Sequence, residues 1–146
     1  MTRATRIERI MALKRLDELL AARQLMTARQ QLDHGQQIHG DLVNYCDHYN
    51  VRSQQLSTRV DAASIQRERQ FSEQLGKAVY QQEAVLKQQR ERVHENNQQW
   101  LSKRTRSLAT EALLRKVKEA ETRRAEQLSA KETDELAQRT ALVKLR

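Results

Sequence analysis

The chain has 146 residues, no Pro, only three Gly and 32% charged side chains, a make-up that favours long helices. With aromatics at 3%, too few large apolar groups remain for a thick globular core, which excludes most compact folds. The net charge of +8 is uneven: residues 1–33 carry seven Lys and Arg against four acids, residues 34–100 eight against eight, and residues 101–146 twelve against seven. Basic ends suit an acidic protein surface or nucleic acid, while the plain reading is a solvated helical exterior.

A first helix is expected over about 5–57. Its opening is rich in Ile, Leu and Met. At ~100° per residue, Ile7, Ile10 and Leu25 point to one side while Leu13, Leu16 and Leu20 point to another, wider than a two-stranded seam requires. Leu32, Ile38, Leu42, Tyr45, Tyr49 and Leu56 continue the stripe. Gly35 and Gly40 each weaken a helix by roughly 1 kcal/mol relative to Ala, so a flexible or slightly bent place is expected there, not a break.

His34, His39, Cys46 and His48 gather in the same region and invite a metal reading. Their spacing opposes it, because His34, Asp41 and His48 share a face but lie about 10 Å apart per step, beyond ligand bonds of ~2 Å to one ion. Cys46 has no base or oxyanion site arranged around it and reads as a small seam residue.

A turn is expected at about 58–64, with Asp61 or Ser64 as a helix cap. A second, longer helix follows over about 65–140. Phe71, Leu75 and Ala78 start its apolar stripe, and Leu86, Val93 and Trp100 follow at intervals of seven, alternating with Gln82, Gln89 and Asn96. One narrow stripe needs a second helix to cover it. The expected fold is therefore all-α: an elongated antiparallel two-helix coiled-coil hairpin forming one domain over 1–146. Folding about residue 60 sets Phe71 near Tyr49 and Leu114 near Ile7, and leaves an overhang from about 118 to 146.

No phosphate-binding Gly loop, Cys cluster or Ser/His/Asp constellation is present, and a two-helix hairpin has no room for a pocket of several hundred Å³. No enzyme, no metal and no cofactor is the expectation. Cys46 is alone and no apolar run approaches the roughly 18 residues of a membrane span, which suits a cytoplasmic chain. Nucleic-acid binding is the weaker reading, because aromatics are not interleaved with the basic residues.

Leu42-x2-Tyr45-x3-Tyr49 before the turn, then Phe71-x3-Leu75-x2-Ala78, Trp100-x2-Lys103-x2-Arg106 and Asp134-Glu135-x-Ala137-x-Arg139 after it, resemble the flagellar export protein FliJ family over almost the whole chain. Two departures are Gln82, a His in one member, and a turn without Gly. The resemblance implies a non-enzymatic part of the flagellar type III export apparatus, cytoplasmic and peripheral at the inner membrane. Such a coiled coil resembles the stalk of rotary ATP synthases, binds and stimulates the hexameric export ATPase FliI, contacts the cytoplasmic region of the export gate FlhA and escorts export chaperones. Carried over, Phe71, Leu75 and Ala78 would bind the gate; Ile7, Ile10, Leu13, Arg124, Leu128, Leu136 and Arg139 would meet the ATPase. A stalk of virulence-type secretion, similar to YscO, is the nearest alternative, and a basic coiled-coil nucleic-acid binder the alternative from another class.

Periodicity buries Phe71 and Leu75 against the first helix, whereas the resemblance needs them accessible. Heptad drift of about 20° per seven residues predicts partial exposure, with Val79 taking more of the inward packing.

Overall fold

Thr2 opens the first helix: its Oγ1 accepts the Thr5 N–H at 3.2 Å, and its carbonyl accepts the Arg6 N–H at 3.3 Å. The first bond satisfies a donor that a helix start leaves orphaned, and the second begins the helical ladder. With no Pro to stop it, α1 runs unbroken through Gly35 and Gly40 as Arg3–Leu56. The structure is a computed structural model that describes residues 2–56 and 61–146. α2 is Ala62–Lys144, longer than α1, and no strand occurs among the described residues. The two form an antiparallel helical hairpin.

Residues 58–60 of the expected turn lie outside the described residues, and Ala62 to Ser64 are already the first turn of α2. Asp61 stands at the cap position, its carbonyl accepting the Ile65 N–H at 3.2 Å.

The hairpin divides into two compact units, Leu20–Leu101 and the pair of segments Met1–Leu19 with Ser102–Arg146. In each, burial follows steps of three and four. On α1 of Leu20–Leu101 the sheltered positions run Ala21, Leu25, Ala28, Leu32, Gly35, His39, Leu42, Cys46, Tyr49 and Ser53. On α2 they run from Leu75 through Val79, Gln82, Leu86, Gln89, Val93, Asn96 and Trp100. Such a 3-4 alternation is a coiled-coil seam. Ile38 and Tyr45, expected in that stripe, lie beside it and are exposed, because each stands one residue ahead of a seam position.

One column of this seam is polar on α2 and small on α1, and the two fit. The Gln82 amide donates to the Gly35 carbonyl at 3.0 Å. A Cβ on Gly35 would collide with Gln89 Oε1 and lie 3.1 Å from Leu86 Cδ2. Gly35 is therefore a place of close helix approach, not of flexibility. A Cβ added at Gly40 or Gly76 meets nothing within 4 Å. Gly40→Ala and Gly76→Ala are each expected to stabilise the hairpin by about 0.5–1 kcal/mol in chemical denaturation, through helix propensity. Gly35→Ala, which must displace Gln89 and press on Leu86, is expected to show no such gain.

In the other unit, Ala4, Ile7 and Val117 form a buried cluster with Leu114 packed on it. Lys118 Nζ reaches Glu8 Oε1 at 2.8 Å, and Glu121 Oε1 accepts the Ala4 N–H at 3.4 Å. Lys118 and Glu121, expected in the overhang, thus bond back to α1, and the stretch without a partner helix begins at Thr122. Every residue from Thr122 onward is exposed, yet α2 stays helical to Lys144.

Candidate functional site

Phe71 stands four residues before Leu75, where the α2 seam begins, and its ring lies on the flank of the hairpin, 37% exposed. Its edge meets two rings of α1, Tyr49 at a centroid distance of 4.8 Å and Tyr45 at 6.2 Å. Edge-on contacts of this kind add about 0.5–1.5 kcal/mol beyond area burial. Leu75, Ala78 and Val79 are each half-buried. The Tyr49 hydroxyl is held above the usual phenol range, first by loss of solvent around it, then by the Glu68 carboxylate and Tyr45, with Arg52 opposing. Glu68 itself accepts from the Ser53 hydroxyl at 2.9 Å.

The other candidate residues sit in the unit built from the chain ends, and their positions divide them. Ile7 belongs to the core at 7% exposure, so it is not free to touch another protein. Ile10 at 47% and Leu13 at 64% face outward, with Leu16 and Leu19 also exposed. Arg124, Leu128, Leu136 and Arg139 lie on the bare stretch of α2, all exposed. This unit carries seventeen Lys and Arg against ten acids, a net +7 of the chain's +8. Three of those acids take cross-helix ion pairs: Glu18 with Arg104 at 3.0 Å, Glu8 with Lys118 at 2.8 Å and Asp17 with Lys103 at 3.8 Å. Exposed pairs like these contribute little each, about 0–1 kcal/mol.

Depressions of several hundred Å³ do occur, against expectation, but they are open grooves. One of about 640 Å³ runs over a face of α2 alone, past Thr122, Ala125, Ser129 and Thr133. Another of about 330 Å³ lies between Val43 and Cys46 of α1 and Leu75 and Val79 of α2. Among the described residues no three His, Cys, Asp or Glu side chains come together, and His39 faces Glu83 at 3.4 Å. No described helix is long and apolar enough to cross a membrane.

What these surfaces offer is contact: an aromatic-edged flank on one unit, and a basic unit with outward leucines and an unpartnered helix. The family model for the flagellar FliJ protein matches residues 3–146. The chain belongs to the FliJ family. It is accordingly a flagellar export component. No curated protein and no solved structure matched it.

Sequence reasoning put Ile38 in the stripe and did not single out Val85; both are exposed on the side of Phe71. The signal was present in their spacing of seven from Tyr45 and Ala78. It also missed the seam role of Ala4 and Ala28, both buried, because an Ala-rich stretch carries no apolar contrast.

Proposed function

We propose that this FliJ-family chain is the non-enzymatic coiled-coil stalk that binds and stimulates the export ATPase FliI, contacts the export gate FlhA and escorts export chaperones, in the cytoplasm beside the inner membrane. The observation that carries the proposal is the bare end of α2: residues 122–144 remain helical with no covering helix, in the unit that also turns Ile10 and Leu13 outward and holds nearly all of the net positive charge. A helix left without a tertiary partner gains its packing from another chain. The ATPase ring is that chain in this reading. The aromatic-edged flank at Phe71, with Leu75 and Ala78, is then free for the gate.

Truncation after Glu121 tests the proposal, because it removes the exposed stretch and keeps the last bonds to α1. The thermal transition of the remaining hairpin is expected to stay within a few degrees of the full chain, while stimulation of the ATPase is lost. A truncated chain that stimulates fully removes the stalk reading. Capture of the ATPase and the gate's cytoplasmic region, repeated at high salt and with nuclease, separates it from nucleic-acid binding, which weakens steeply with salt.

A further inference from the structure

The seam of the unit built from the chain ends changes character along its length. At the open end Ala4, Ile7 and Met11 of α1 are buried, as is Val117 of α2. Leu114 packs on this cluster, and Thr110 donates its hydroxyl to the Arg106 carbonyl of its own helix at 2.9 Å. Continuing inward by the same steps of three and four, the next sheltered positions are Lys14 and Glu18 on α1 with Ser107 and Lys103 on α2. None of these four is apolar. Ser107 is buried, and Lys14 is half-buried with no ion pair among the described residues. Asp17 and Glu18 are taken by Lys103 and Arg104, so Lys14 is the cation left over. Charges held partly out of water favour closure little, because their lost hydration offsets their attraction. The apolar closure of this end therefore rests on about two turns of each helix. A chain end with so little buried surface opens locally at lower free energy than a continuous seam.

Closure also builds a surface. Glu8 follows Ile7, Lys118 follows Val117, and the two bond across one flank. Ile10 precedes Met11 and Leu113 precedes Leu114, so these two lie together on the other flank. Leu113 is 45% exposed, much as Ile10 is, and Leu13 faces outward one turn on from Ile10. We infer that the open end of the hairpin is a fork that parts and closes by itself about Lys14 and Ser107, and that the export ATPase binds its closed form. Only in that form do Ile10 and Leu13 of α1 stand beside Leu113 of α2. Parted, the fork splits this apolar surface between two separate helices. The partner then acts as a clasp, since a ligand shifts an equilibrium by its preference for one form. The inference rests on the ATPase reading for its partner and adds Leu113 and a conformational condition to that site.

Amide exchange of the free full chain is the first test. Exchange over 4–13 and 108–117 is expected to run at least about tenfold faster than around Leu25 and Leu86, and to slow on both helices when FliI is added. Lys14→Leu, which makes its layer more apolar, is expected to slow it without FliI. An end that exchanges as slowly as Leu25 and Leu86, or a Lys14→Leu chain that exchanges as before, overturns the fork. The second test is a reversible cross-link, Ala4→Cys with Val117→Cys, in a chain whose one native cysteine is removed by Cys46→Ser. Oxidation is expected to hold the fork closed and to leave FliI affinity equal or higher. Met11→Ala, at a side chain that reaches no surface, is expected to weaken binding about tenfold, and the oxidised cross-link to restore it. An oxidised chain that binds more weakly than its reduced form, or a Met11→Ala defect that the cross-link does not mend, overturns binding of the closed form. Leu113→Gln is expected to weaken binding about tenfold as well. Unchanged binding by that variant confines the contact to α1 and overturns the shared surface. If the Ile10→Asp, Leu13→Asp variant binds FliI as the unaltered chain does, the ATPase reading fails, and the exchange rates still decide the fork.

Discussion

Replacing Ile10 and Leu13 together by Asp is expected to abolish stimulation of the export ATPase while leaving the helical circular-dichroism signal close to that of the unaltered chain. Both side chains face outward, so neither substitution buries a charge or opens a cavity. The cost is confined to the lower helix propensity of Asp, below about 1 kcal/mol per residue. Ile7 supplies the contrast from the same helical turns. It is buried on Ala4 and Val117, and removing a buried Ile side chain costs roughly 2–5 kcal/mol, less at a helix end that frays. Ile7→Ala is therefore expected to loosen the end of the hairpin, seen as faster amide exchange there, and to reduce stimulation through unfolding. Full stimulation by the Ile10→Asp, Leu13→Asp double variant would show that Ile10 and Leu13 do not meet the ATPase.

That contrast also shows where the sequence was legible. Two helices, their antiparallel order and the apposition of Phe71 with Tyr49 followed from composition and from the sevenfold spacing of Leu86, Val93 and Trp100. Large apolar side chains were a poorer guide at the start of α1. Leu13, Leu16, Leu19 and Leu20 face outward, while the seam beside them is built from Ala4, Ile7, Met11 and Ala21. Hydrophobicity marks a residue as able to be buried; only its phase relative to the partner helix decides whether it is. Small residues hide that phase. Gly35 read as a weak point because Gly disfavours helix, but its missing Cβ admits Gln82 and Gln89 from α2.

The polar column has a cost that the sequence left open. Among the described residues, Gln89 Oε1 is the buried side-chain oxygen left without a partner. An unsatisfied buried acceptor costs about 1–3 kcal/mol. Polar seam residues of this kind fix register at the expense of stability. The Gln82 bond to Gly35 ties one position of α2 to one of α1, so a slip by one heptad would break it. The strongest packing in this unit therefore falls on the few buried aliphatic residues, Leu25 and Leu86 above all.

From this division comes the largest stability effect expected in the Leu20–Leu101 unit and the cleanest separation of core from contact surface. Leu86 is 4% exposed in the seam, and Leu86→Ala is expected to cost about 2–4 kcal/mol in denaturant unfolding, transfer and cavity terms combined. Phe71 keeps more than a third of its surface in water, and the space its ring vacates opens to solvent, so no closed cavity remains. Exposure of that degree argues for a loss below about 1 kcal/mol, and the two tyrosine edges raise it to about 1–2. Binding is expected to reverse the order. At a temperature where both variants are folded, Leu86→Ala should hold the export gate as the unaltered chain does, because its side chain reaches no surface. Phe71→Ala should lose at least about tenfold in affinity, the behaviour of an aromatic anchor at an interface. A Phe71→Ala chain that melts as early as Leu86→Ala and binds the gate undiminished would make Phe71 core, and the flank it lies on an ordinary side of the hairpin.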